Sequence, residues 1–215
     1  MSSRPASPRV SHGYFIFFAG AITLLGFLAR VIGLHDIPPG LHYDEASAGL
    51  FVRAVAFDGY RPIFITAYTG HETLWYYLAA PIMRIMGSGI FPLRLASVFI
   101  GTATVAVTAW MARQLYPDDA NRSWLALLTA AIMALSFWHA ILSRTAFRAI
   151  SEPLMQGLSI GFLWLALARQ GRSRHWWLWM MLAGVFTGLA GHTYLAARLF
   201  PIPLVLALLV FLLTS

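Results

Sequence analysis

The chain has 215 residues, 59% of them hydrophobic and only 11% charged, against about half and about a quarter in an average soluble domain. That balance leaves too few polar side chains to cover a globule and excludes a water-soluble fold; several apolar stretches instead approach the roughly 20 residues that cross a bilayer as helix. All 15 basic residues are arginine, the net charge is +7 and cysteine is absent, so thiolate metal sites and disulfides are excluded, and arginines scattered singly give no footing to nucleic-acid binding.

From the N-terminus, residues 1–13 carry Arg4 and Arg9 and no acid, and residues 14–34 form the first predicted membrane helix. The run is too long for the apolar part of a cleaved signal peptide and reads as an uncleaved anchor. Residues 35–91 are mixed in hydropathy and predict an outer loop. Pro38-Pro39-Gly40 forbids helix at its start and Asp58-Gly59 marks a second break. Between them, 44–57 reads as a short helix capped by Asp44 or Glu45, with Leu50, Phe51, Ala54 and Val55 on its apolar face. An extended piece over 62–66 and a second helix over 72–86 follow, the latter ended by Gly87-Ser88-Gly89. Both helices are too short and too charged to span and are expected along the outer surface.

Residues 92–115, with Pro92 in the first turn, then 123–143, 152–169, 176–194 and 199–213 complete six expected spans, with a turn over 117–121. The fold class is therefore all-α: a polytopic transmembrane bundle of about six helices with short interfacial helices in its first outer loop. Trp176, Trp177 and Trp179 read as an interfacial aromatic belt. Gly157 and Gly161, like Gly184 and Gly188, have the small-xxx-small spacing of close helix contacts. The last apolar run ends without a polar anchor, so residues 1–215 read as the N-terminal part of one larger membrane domain.

Orientation follows from the short loops and termini, where arginine bias counts most. The acid-free N-terminus and the Arg169, Arg172 and Arg174 cluster point to the cytoplasm, which places Asp36, Asp44, Glu45, Asp58, Glu72 and Glu152 on the outer side. Three separated acidic positions, Asp44-Glu45, Glu72 and Glu152, then share one depth, and ionisable groups at a membrane mark function by default. Asp44 and Glu45 could equally serve only as first-turn acids that favour the helix dipole. Arg144 and Arg148, four apart, are expected on one helical face near Glu152, either paired with that acid or free to bind phosphate with two parallel hydrogen bonds. His192, Tyr194 and Arg198 form a further polar cluster at the outer end of the fifth helix, although His192 alone reads as an interhelical histidine.

Gly40-Leu41-His42-Tyr43-Asp44-Glu45-Ala46, His71-Glu72-Thr73-Leu74-Trp75-Tyr76-Tyr77, Pro92-Leu93-Arg94-Leu95, Glu152-Pro153 and His192-Thr193-Tyr194 through Arg198 together resemble the polyprenyl-phosphate-sugar-dependent glycosyltransferases of the GT-C fold. The likeness is to family 39, which includes the protein O-mannosyltransferases and the lipid A aminoarabinose transferases. The resemblance implies sugar transfer from a polyprenyl-phosphate donor to a lipid, glycan or protein hydroxyl on the outer face of a bacterial-type inner or plasma membrane, with inversion at the anomeric carbon. In that reading Asp44 is the general base and Glu45 its catalytic neighbour, while Glu72, Glu152, His42 and His71 position the acceptor or hold a divalent cation, Mg²⁺ or Mn²⁺ being suited to oxygen ligands. Arg144, Arg148, Arg198, Tyr194 and His192 are expected around the donor phosphate. The competing classes are a transporter or flippase for an anionic lipid or small substrate, and an inactive fragment.

Overall fold

A computed structural model describes residues 11–68, 70–116 and 121–214; most of the expected turn over 117–121, together with Arg4 and Arg9, lies outside them. The elements, in order, are α1 (His12–Val31), α2 (Tyr43–Phe57), β1 (Phe64–Ile65), β2 (His71–Glu72), α3 (Leu74–Met86), α4 (Ile90–Leu115), α5 (Arg122–Leu135), α6 (Phe137–Arg144), α7 (Ser151–Arg169), α8 (Trp176–Ala190) and α9 (Pro201–Thr214). Single 3₁₀ turns, Arg148–Ile150 and Leu195–Leu199, precede α7 and α9.

Among the described residues, three helical segments are long and apolar enough to cross a membrane: α1, α4, and α7 with its leading 3₁₀ turn. The third expected span is a bent pair of helices. Where the sequence predicts one helix over 123–143, α5 and α6 meet at Ser136, whose ψ of 117° interrupts the helix, and the two pieces diverge by 56°. The fifth and sixth expected spans are the shorter apolar helices α8 and α9.

The long helix α4 is the axis, touching α1, α3, α5, α6 and α7. Small residues allow this. A side chain at Gly161 of α7 would enter the Trp110 ring of α4, and one at Gly157 would press on Val107, so this glycine pair provides the expected close contact. Gly184 and Gly188 face open space instead, and their spacing carries no helix contact here. Gly101 of α4 lies so close to α6 that an added Cβ would overlap the Ser143 hydroxyl and sit 2.8 Å from its Cβ. Ser143 cannot simply rotate away, because its Oγ both accepts from Arg30 and donates to the His139 carbonyl. Gly101→Ala is therefore expected to cost about 1–3 kcal/mol, measurable as a lowered unfolding midpoint in detergent.

The region between α1 and α4 departs from expectation in detail. The N-cap of α2 is His42, not Asp44 or Glu45: its Nδ1 accepts from the Asp44 N–H while Glu45 returns to the His42 N–H, a reciprocal capping box. The buried face of α2 is Ala48, Val52, Val55 and Ala56, whereas Leu50 is exposed. Glu72 does not begin a helix: with His71 it forms β2, antiparallel to β1, with Phe64 opposite Glu72 and Ile65 opposite His71. The hairpin is tied to α3 by Thr73 Oγ1 donating to the Ile63 carbonyl and by Tyr77 donating to the Pro62 carbonyl, each at 2.8 Å. Trp75, Tyr76, Ala79 and Met83 of α3 then bury against α2 and α4.

Candidate active site

The site is built on one buried ion pair. Arg94, in the first turns of α4, is 1% exposed and donates Nε to Glu45 Oε1 and Nη2 to Glu45 Oε2, both at 3.0 Å. The same guanidinium donates to the carbonyls of Pro38 at 2.8 Å and Gly40 at 2.6 Å. Proline and glycine cannot continue a helix here, and their exposed carbonyls are what Arg94 binds. Glu45 in turn accepts from the Ala146 N–H at 2.9 Å. Burial pushes the Glu45 carboxyl up, but the hydrogen bonds from Arg94, Ala146 and His42 outweigh it, and its pKa falls below the ordinary carboxylate value. Every oxygen of Glu45 is thus committed to holding the loop, α2, α4 and the 145–150 turn together.

Asp44, one residue earlier, points the other way. Its side chain is 57% exposed, and the nearest ionisable side chain is His42, Nδ1 to Oδ2 at 3.6 Å. Its negative charge nevertheless reaches the buried pair His71 and Tyr76, whose Nδ1 and hydroxyl lie 2.7 Å apart. Burial first, then Arg148, lowers the pKa of His71, with Glu72 and Asp44 opposing. Burial pushes the Tyr76 phenol up to about 12, against the pull of Arg148.

Glu72, 2% exposed on β2, faces two arginines. Arg198 Nη2 donates to Oε1 at 2.8 Å, and Arg148 Nε stands 3.7 Å from Oε2. Arg148 lies over the Tyr194 ring at 5.2 Å and Arg198 over Phe64 at 5.7 Å. The Leu74 N–H donates to the His192 carbonyl, which pins the 191–194 turn against the start of α3. His192 itself is exposed. One cluster therefore brings together Asp44, His71, Glu72, Arg148, Tyr194 and Arg198 from four separate stretches of sequence.

Two expected members stand apart. Arg144 and Arg148 do not share a helical face, because Thr145 and Phe147 are extended between α6 and the 3₁₀ turn. Arg144 instead donates to the carbonyls of Ala29, Arg30, Ile32 and Ile37, where α1 leaves its last acceptors unpaired. Glu152 forms no ion pair among the described residues; its partner is Gln156, one turn on in α7, at 2.9 Å.

One buried arginine has no expected role in the sequence. Arg30 of α1 is fully buried. Its guanidinium donates to the carbonyls of Gly26, Ala134 and Met133 and to Ser143 Oγ, with His139 Nδ1 at 3.0 Å. Met133 and Ala134 carry the carbonyls released where α5 ends, so Arg30 is what satisfies the broken span. A lone charge near the end of an apolar run was the available signal.

For a divalent cation the donor set does not fit. No group of three or more His, Asp or Glu converges among the described residues, and the one buried carboxylate of the cluster, Glu72, is occupied by guanidinium groups that would repel a cation.

Comparison with curated proteins and with solved structures gives no match. The family model described as dolichyl-phosphate-mannose-protein mannosyltransferase matches residues 20–215. That span holds every residue of the cluster, its Arg94–Glu45 support and all the membrane helices but the first turns of α1. This is a multi-pass membrane glycosyltransferase chain of the GT-C fold, and it belongs to the dolichyl-phosphate-mannose-protein mannosyltransferase family.

Proposed function

We propose that the chain carries the base and the anion-binding half of an inverting glycosyl transfer from a polyprenyl-phosphate sugar to an acceptor hydroxyl, on the outer face of the membrane. The observation that carries this reading is the contrast between two adjacent carboxylates: Glu45 is consumed by the frame, and Asp44 is left open on it, beside a cluster holding two arginines. Asp44 takes the proton of the acceptor hydroxyl as its oxygen bonds to the anomeric carbon. The bond from that carbon to the phosphate oxygen breaks, its electron pair stays on the phosphate, and polyprenyl monophosphate leaves. Arg148 and Arg198 receive the growing negative charge, which is the largest electrostatic demand of the step. A phosphate is already a good leaving group, so no general acid is required. Glu45 and Arg94 serve as positioning residues for Asp44.

The full-length enzyme, incubated with radiolabelled polyprenyl-phosphate mannose, is expected to move label to an acceptor with inverted anomeric configuration. Retained configuration, or no transfer with any polyprenyl-phosphate sugar, counts against the reading.

The broken span and the buried Arg30 are what a transport pathway would show. Here they do not favour one, because the guanidinium donors are spent on helix carbonyls, Ser143 and His139 and none is left to meet a passing anion.

The orientation has its own test. The absence of native cysteine lets a single cysteine replace Arg172, which is exposed. An impermeant thiol reagent added outside intact cells is expected to leave it unlabelled until the cells are opened; labelling from outside reverses the topology.

A further inference from the structure

Glu72 is an unusual carboxylate for a site that has to bind phosphate. It is buried, negatively charged beside two guanidinium groups, and paired unequally with them: Arg198 Nη2 donates to Oε1 at 2.8 Å, while Oε2 and Arg148 Nε face one another at 3.7 Å, both buried and both without a hydrogen-bond partner. A buried polar atom left in that state calls for an explanation. Resting on the reading above, in which Arg148 and Arg198 receive the phosphate, we infer that Glu72 is the internal competitor of that phosphate: it occupies the arginines when the site is empty and displaces the monophosphate product after transfer.

Three features of the cluster support this role. The first is mobility. Glu72 is fixed by the β1–β2 pairing opposite Phe64 and by burial, and Arg148 is 15% exposed beneath the rim, over Tyr194; Arg198 has a side chain 50% exposed. Arg198 is the partner free to swing from carboxylate to phosphate and back. The second is the unused donor. Arg148 Nε–H is held within the field of Glu72 but outside hydrogen-bond reach of it, so it can be given to a phosphate oxygen without first breaking a bond. The third is charge. The donor is a phosphodiester with a single negative charge, whereas the product is a monoester carrying about −1.5 to −2 at pH 7. Two arginines with no competitor would hold the product more firmly than the donor and the enzyme would stall on it. A fixed carboxylate beside them penalises the second phosphate charge and re-pairs with Arg198 as the product departs.

The probes are farnesyl phosphate, a monoester, and methyl farnesyl phosphate, the matching diester, titrated in detergent onto the full chain. Glu72→Gln keeps the shape and removes the charge. It is expected to tighten the monoester by about tenfold, the scale of one charge-assisted hydrogen bond, and the diester by less. Arg198→Ala is expected to weaken both probes, and in its background Glu72→Gln is expected to lose most of its effect. Glu72→Asp, which draws the carboxylate back from the arginines, provides a second variant that tightens the monoester in the same direction if Glu72→Gln does not fold. The inference is overturned if folded Glu72 variants bind the monoester no more tightly than the parent while Arg198→Ala weakens it. If neither Arg148→Ala nor Arg198→Ala weakens either probe, it is the assignment of the phosphate site itself that fails.

Discussion

Asp44→Asn is expected to lower turnover by roughly a hundredfold or more, the usual scale of general-base catalysis, with the apparent affinity for the donor nearly unchanged. The amide is the same shape as the carboxylate and exposed in the same way, so the fold has no reason to respond: Asp44 makes no buried ion pair, and the capping of α2 falls to His42 and Glu45. Donor affinity belongs to arginines on other elements, Arg148 before α7 and Arg198 before α9. Steady-state rates with a polyprenyl-phosphate sugar, varied in donor at saturating acceptor, separate the two quantities. A variant that transfers sugar at the parent rate removes Asp44 from the chemistry.

Glu45→Ala is expected to act on stability instead, with a loss of about 3–5 kcal/mol, the cost of leaving a buried charge without its partner. Arg94 is 1% exposed and would keep only the Pro38 and Gly40 carbonyls, while the Ala146 N–H would lose its acceptor. Activity should disappear with the fold, because the turn before Asp44 is held by the same guanidinium. The pH dependence has a definite sign. Glu45 has a pKa lowered from 4.5 in the folded state, so its contribution is complete above the unfolded value and is lost as pH falls through the lowered one. Thermal unfolding in detergent over the acid range is expected to show the parent losing stability there and Glu45→Gln losing less, since its side chain does not titrate.

The sequence displayed the membrane helices through apolar run length, and the acidic turn after α1 through Pro38-Pro39-Gly40, because both are local signals. What it concealed depended on contacts far along the chain. The break at Ser136 is invisible in an apolar stretch, as it exists only where Arg30, more than a hundred residues earlier, donates to the released carbonyls of Met133 and Ala134. The spacing of Arg144 and Arg148 suggested one helical face, yet the acceptors at the end of α1 draw Arg144 to one side and Glu72 faces Arg148 on another. Asp44 and Glu45 looked interchangeable as neighbouring acids. Their opposite fates follow from the helical turn of α2, which aims one at Arg94 and the other at open space. Glu72 is expected to start a helix, and the strand it forms with His71 instead depends on Phe64 and Ile65 across a turn that no periodicity announces.

The clasp between Arg30 and the broken span also bears on how the protein is made. Apart from the Gly26 carbonyl of α1 itself, the carbonyls, hydroxyl and imidazole that receive this guanidinium come from residues 133–143, and Arg144 returns the contact to the end of α1. When α1 first leaves the ribosome none of those groups has been synthesised. A guanidinium in that position is costly in lipid and is drawn toward the headgroups, so the first helix has to wait, tilted or shallow, until α5 and α6 emerge. Insertion of the first span is thereby completed by a later one, and nascent chains halted before residue 133 should hold α1 less deeply than chains halted after residue 144.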